Sequence, residues 1–187
     1  HIICGFGDFK DGRFLAIGDN RHVFYSEDLC KSWKHSRIPE GVGDRGQEVI
    51  AFGNNIFVCS FKDKAARSLD GGATWTLHDH GGKRASWRGL SFVNGEFWLT
   101  NWNGGGRRSK DGANWVDLPP QTPAGRFVQS PKGTIINVAR GRYDVKRSGD
   151  GKNWETVFKA PALAANQKDV TWDTAFAIYG KVNKVAE

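Results

Sequence analysis

The chain has 187 residues, enough to bury a sizeable core in one domain. It has no run of 18 apolar residues, which excludes a membrane-spanning helix, and no leader peptide is visible. Its 27 Lys and Arg against 20 Asp and Glu leave a net charge of +7, a modest pull toward polyanions that solvated surface charge explains better than a dedicated binding face.

The expected elements follow one scheme. Residues 4–9 read as a first strand, Lys10-Asp11-Gly12 as a turn and residues 13–17 as a second strand. A third strand runs into Ser26, where the segment SEDLCKSW (26–33) makes a tight turn and Trp33 opens a fourth strand. The second unit has strands at 48–52 and 56–59 around Gly53-Asn54-Asn55, then SLDGGATW (68–75). The third has strands at 88–92 and 96–99 around Val93-Asn94-Gly95, then SKDGANW (109–115). The fourth has the turn Pro131-Lys132-Gly133, a strand at 134–138, then SGDGKNW (148–154). A fifth, partial unit offers strands at 168–172, 175–180 and 181–186 but no closing turn. Asn-Gly and Asp-Gly between apolar runs signal hairpins, because both central residues of the tight turn need positive φ. No window carries capped helical periodicity.

Asp28, Asp70, Asp111 and Asp150 stand 42, 41 and 39 residues apart, and a fixed period near forty means a repeat architecture. Four short strands per repeat form one antiparallel sheet, which buries its faces only by stacking radially on its neighbours. The expected fold is therefore an all-β propeller of four-stranded blades. The units run over about 4–43, 44–84, 85–123 and 124–163, with 164–187 partial, all in one domain. Either about five blades form a compact ring, or the chain is a fragment of a six- or seven-bladed one. The lack of Met and the start at His1 inside apparent structure point to a processed chain or part of a larger one.

In each closing turn an Asp can bond its own backbone two residues on, and the Gly after it supplies positive φ at little steric cost. Ser26, Ser68, Ser109 and Ser148 can bond the same loop. Trp33, Trp75, Trp115 and Trp154 are expected to fill the gaps between sheets. At these residues the chain resembles the Asp-box, or bacterial neuraminidase repeat, β-propellers, whose pattern is Ser-x-Asp-x-Gly-x-x-Trp or the shorter Ser-x-Asp-Gly-x-x-Trp. The second box matches the longer form, and the third and fourth match the shorter. The first departs, with Cys30 where Gly72 sits in the second. The resemblance covers nearly the whole chain. It implies that the box Asp residues are structural and not catalytic, and it extends to repeat proteins of secreted or lipid-anchored bacterial surface proteins.

Three cysteines cannot all pair internally. Cys4 and Cys30 align to opposite ends of one blade, where bridging is geometrically hard, and Cys59 lies mid-strand in the core. Arg67, Arg108 and Arg147 recur just before the box Ser, so symmetry spreads them around the ring instead of converging them on one carboxylate. Arg37-Ile38-Pro39 matches part of a sialidase signature but follows a box instead of preceding one. His78-Asp79-His80 puts two His on one strand face without a third ligand, and is read as surface rather than as a metal site.

Function is expected where the repeats differ, in the loops. Those ahead of the inner strands carry Arg45, Gln47 and Glu48, then Lys83, Arg84, Trp87 and Arg88, then Arg126, then Gln167 and Lys168. Arg88 and Arg126 align with each other and Glu48 and Gln167 hold the matching positions, with Arg84 and Lys168 in the same loops. Such a ring of cations, one carboxylate and one amide suits a sugar acid or glycan, and the polar lining of a water-filled channel is the plainer reading. Trp102, heading the Gly-rich loop that reaches Arg107, is a candidate stacking platform. No cofactor, metal or catalytic set is read. The leading expectation is a non-enzymatic extracellular or cell-surface module that binds carbohydrate or serves as a surface-assembly scaffold, its candidate partners being a glycan, an acidic polysaccharide, a protein or the missing remainder of a larger chain. A sialidase-like hydrolase is the alternative, and nucleic-acid binding through the basic surface the third.

Overall fold

The computed structural model describes residues 2–8, 13–42, 49–61, 63–81, 87–138 and 144–159. The expected fifth unit and the Lys10-Asp11-Gly12 turn lie outside these residues. The described residues form four antiparallel sheets of four strands, each in chain order. The first blade holds β1 (Ile2–Asp8), β2 (Arg13–Gly18), β3 (His22–Ser26) and β4 (Lys34–Arg37). The second holds β5 (Val49–Gly53), β6 (Ile56–Ser60), β7 (Lys64–Ser68) and β8 (Thr76–Asp79). The third holds β9 (Trp87–Val93), β10 (Glu96–Asn101), β11 (Gly106–Ser109) and β12 (Val116–Asp117). The fourth holds β13 (Arg126–Gln129), β14 (Ile135–Val138), β15 (Asp144–Ser148) and β16 (Glu155–Lys159).

The first hairpin turns have the required backbone. Asn54 and Asn55 lie at φ 51° and 61°, and Asn94 and Gly95 at 52° and 71°. These left-handed pairs match the right-handed strand twist. The inner strands β1, β5, β9 and β13 lie side by side in chain order, so the blades succeed one another around a common centre. At the β9–β13 contact a Cβ on Gly89 would fall 2.0 Å from the Gly125 carbonyl oxygen, so only glycine permits this approach.

Three apolar layers fill the gaps between successive blades. The first includes Leu15, Tyr25, Phe57 and Trp75, the second Val58, Trp87, Phe97 and Leu99, and the third Trp98, Phe127 and Ile135. Cys59 is fully buried, as its mid-strand position implies, and Cys30 is an exposed free thiol.

All four boxes build the same turn. The Ser hydroxyl donates to the Asp carboxylate, at 2.8 Å for Ser26–Asp28 and Ser68–Asp70, 2.9 Å for Ser109–Asp111 and 3.0 Å for Ser148–Asp150. The Ser oxygen accepts from the backbone N–H of Cys30, Gly72, Gly112 and Gly151. The carboxylates are held below their usual range. For Asp28 the Ser32 hydroxyl and N–H and the Ser26 hydroxyl bring it to about 2. For Asp150 the N–H groups of Asn153 and Lys152 act. At Asp111 and Asp70 burial pushes upward, but the donors around Asn114 and Thr74 outweigh it.

The second, third and fourth boxes each seat on the blade before them. A Cβ on Gly72 would meet Leu15 of the first blade at 2.7 Å, one on Gly112 would meet Val58 of the second at 2.5 Å, and one on Gly151 would meet Trp98 of the third at 2.7 Å. This corrects the expectation that all four box Trp residues are core. Trp75 is buried, and Trp115 and Trp154 are partly buried against the second and third layers. Trp33 is 49% exposed, because no described blade precedes the first.

Candidate functional site

The Gly run after Trp102 shapes one edge of a cleft between the third and fourth blades. Gly104, Gly105 and Gly106 adopt φ of 94°, 64° and 140°, which L side chains rarely reach. The loop turns back on itself through Gly104 N–H to the Asn101 carbonyl. It then joins the Pro-rich crossover to the fourth blade, where Gly105 N–H donates to the Thr122 carbonyl at 2.7 Å. A Cβ on Gly104 would stand 2.6 Å from that same oxygen, so glycine lets the two loops meet.

Beside this junction lies a cleft of about 260 Å³. Asn103, Gln121 and Thr122 line it from the loops, and Asn137, Asp144, Lys146 and Trp154 from the fourth blade. Lys146 and Asp144 form an ion pair at 3.3 Å. The Asn137 amide donates to the Ala124 carbonyl at 3.0 Å and so braces the crossover. Two polar groups of the lining lack partners among the described residues. The Thr122 hydroxyl belongs to a residue 1% exposed, and the Trp154 indole N–H is buried. The Trp75 and Trp115 indoles donate to the carbonyls of Gly72 and Gly112 at 2.9 and 3.1 Å, so Trp154 departs from its own repeat. The Thr122 hydroxyl and the Trp154 N–H both stand in the lining as buried polar groups with no hydrogen-bond partner among the described residues.

Trp102 is exposed, next in the chain to Asn103 of the cleft. The other sequence candidates do not gather there. Trp87, proposed as a ligand contact, is 3% exposed and packs edge-on against His80, with ring centroids 4.9 Å apart. Arg107 donates to the Gly81 carbonyl at 3.0 Å and pairs with Asp117 at 2.8 Å, so it ties the third blade to the end of the second. Arg126 is half-buried at the start of β13. Arg84, Glu48 and Lys168 lie outside the described residues, as does the side chain of Arg88.

The box-preceding arginines each hold a partner among the described residues. Arg67 donates to the Asp111 carbonyl at 3.3 Å, Arg108 pairs with Glu96 at 3.1 Å, and Arg147 pairs with Glu155. His80 is buried, contrary to the surface reading, with Nε2 3.2 Å from the Phe61 carbonyl. That carbonyl only accepts, so the Nε2–H tautomer is present, and burial pushes the imidazole below its ordinary pKa. Among the described residues no group of three or more His, Cys, Asp and Glu gathers to hold a metal. No described helix is long and apolar enough to cross a membrane. Sequence reasoning missed Thr122, Asp144 and Lys146. The available signal was the crossover 119–123, which carries three prolines.

No family model and no curated protein matches the chain. Solved structures do, and they are β-propellers. One is YCF48 bound to D1 peptide, with TM-score 0.60 and 21% identity over 86% of this chain and 54% of that one. Another is virginiamycin B lyase from Staphylococcus aureus, with TM-score 0.65 and 14% identity over 86% of this chain and 56% of that one. A third is an ancestral GH74 enzyme, with TM-score 0.55 and 16% identity over 82% and 23%. The chain spans about half the length of the first two. At these identities the likeness establishes the fold: an all-β array of propeller blades.

Proposed function

We propose that the chain is a non-enzymatic binding module of the Asp-box propeller kind. It forms a single domain, acts outside the cell or at its surface, and takes a carbohydrate in the cleft between its third and fourth blades. The observation that carries this reading is the pair of orphan groups there, the Thr122 hydroxyl and the Trp154 N–H. Sugar hydroxyls donate and accept, and so satisfy both at once. Asn103, Gln121 and the Asp144–Lys146 pair offer further partners of that type. Exposed Trp102 offers an apolar face for a pyranose ring.

A glycan array probed at low and high salt tests the reading. Binding that survives high salt supports it, and a blank array at every salt concentration sinks it. Trp102→Ala weakens binding severalfold, on the order of the 0.5–1.5 kcal/mol of one aromatic contact. Binding to DNA or RNA that collapses with salt would instead point to the basic surface. Turnover of a fluorogenic glycoside panel would favour the sialidase-like alternative. A protein segment is the second reading, supported by the similar YCF48 structure, whose ligand is a peptide.

A further inference from the structure

Two successive interfaces of the repeat share one plan and differ in what fills them. Phe97 and Ile135 each lie opposite a box Ser, Ser109 and Ser148. Phe92 and Gln129 lie opposite those two on the inner strands. Two residues after Phe97 and Ile135 come Leu99 and Asn137, and five before Phe92 and Gln129 come Trp87 and Ala124. Five residues after the box Trp75 and Trp115 come His80 and Pro120.

Between the second and third blades these positions are filled. Trp87 and Leu99 are buried in one apolar layer, with Trp115 packed against it. The His80 ring meets Trp87 edge-on and lies 6.3 Å from the ring of Trp115. Between the third and fourth blades a methyl, a carboxamide and a pyrrolidine ring stand instead. Ala124, Asn137 and Pro120 all line the cleft of about 260 Å³ beside Trp154, the counterpart of Trp115. The cleft thus occupies the place that an indole and an imidazole take one blade earlier.

Its lining says what fits. Another indole does not, because the Trp154 N–H calls for an acceptor and an indole only donates. Pro120, Pro123 and Trp154 offer apolar ring faces, with Gln121 and Thr122 as polar groups among them. That mixture suits a pyranose, which has an apolar C–H face and a rim of hydroxyls. The charged side chains of the lining, Asp144 and Lys146, pair with each other at 3.3 Å. The described lining therefore carries no net charge. A carboxylate or sulfate on the ligand that captured Lys146 would leave Asp144 beside it without its partner.

We propose that the cleft takes a neutral pyranose ring and not a sugar acid, in the space that Trp87 and His80 fill one blade earlier, and that the small side chain of Ala124 keeps it open. This rests on the carbohydrate reading above and adds the charge class of the sugar and the residue that admits it.

A glycan array sorted by terminal residue tests this at high salt, where the net positive charge of the chain is screened. The terminal residues are neutral hexoses, hexuronic acids, sialic acids and sulfated hexoses. Neutral termini are expected to bind at least tenfold more tightly than the other three. Ala124→Trp, which restores the residue of the preceding interface, lowers that binding at least tenfold while the circular dichroism spectrum is kept and the urea midpoint does not fall. Ala124→Leu replaces it if that variant fails to fold. Asp144→Asn leaves Lys146 without its carboxylate and raises the ratio of acidic to neutral binding severalfold. Binding confined to acidic termini overturns the proposal and leaves the carbohydrate reading standing. So does neutral binding that a folded Ala124→Trp or Ala124→Leu keeps at the wild-type level, or an Asp144→Asn ratio equal to wild type. A blank array overturns the proposal together with the reading it rests on.

Discussion

The Arg67 guanidinium, in the second blade, donates to the Asp111 carbonyl in the box of the third at 3.3 Å. Its stem runs along Gly112, where a Cβ would come within 3.5 Å of Arg67 Cγ and Cδ. One side chain thus ties a sheet to the turn of its neighbour and covers that turn's glycine. Arg67→Ala removes both contacts and lowers stability by about 1–3 kcal/mol, the range for a hydrogen bond from a charged donor. Arg67→Lys keeps the charge but loses the planar donor fork, and recovers only part of this. Urea unfolding followed by tryptophan fluorescence separates the three proteins, and equal midpoints would remove the role.

The first box carries backbone strain that the others avoid. Leu29 and Cys30 lie at φ 58° and 65°, where the second box has Gly71 and Gly72 at 74° and 103°. A left-handed L residue costs roughly 1–2 kcal/mol, partly offset by the extra chain entropy that glycine loses on folding. Cys30→Gly is expected to raise stability by about 0.5–1 kcal/mol. Urea midpoints of the wild-type and Cys30→Gly chains measure it. A lower midpoint would show that the exposed thiol contributes contacts outweighing the strain.

Acid weakens the boxes in a defined window. Their carboxylates titrate lower in the folded chain than the unfolded value of about 3.9. Their contribution is therefore complete above that value. It is lost as pH falls toward about 2 for Asp28 and lower still for Asp111 and Asp150. Urea midpoints are expected to decline below pH ~4. Asp111→Asn is expected to be less stable at neutral pH and to show a shallower acid decline. An unchanged slope would show that the bonds around Asp111 do not favour its charged form.

A second window belongs to histidine. Burial depresses the His80 imidazole, and burial followed by the Arg67 charge depresses His78. For a base the sign is fixed by the unfolded chain, which takes up its proton first as pH falls through about 6.5. Stability is therefore full above that pH and declines below it. His80→Gln removes part of the slope between about pH 7 and 5, at a fixed cost from the lost edge contact with Trp87. A slope identical to wild type would assign the whole effect to His78.

The strands and their turns were legible because each rests on local chemistry. Asn54-Asn55 and Asn94-Gly95 both adopt left-handed pairs in their turns. A Ser and an Asp two residues apart close the same loop four times. What a side chain meets beyond its own blade was not legible. Trp33 and Trp75 hold the same place in the repeat, yet one is exposed and the other buried, because burial belongs to the neighbouring blade. Arg107 reads as a free cation in a loop until Gly81, 26 residues away, is placed against it. Thr122 carries no pattern at all. Its interest comes from a backbone path that leaves its hydroxyl without a partner among the described residues.

The seating of the second, third and fourth boxes on the preceding blade also bears on how such arrays lengthen. One added unit of about forty residues would cover one open blade face and expose another of the same kind. Its own box would take up the contact that the older terminal blade had offered. Nothing new would have to be invented for the longer chain to fold. An added whole unit would contribute one further interface of the same kind, whereas a break inside a box would strand a Ser from its Asp. The boxes are thus the joints of the array, recurring at steps of 42, 41 and 39 residues while the loops between the blades differ in sequence.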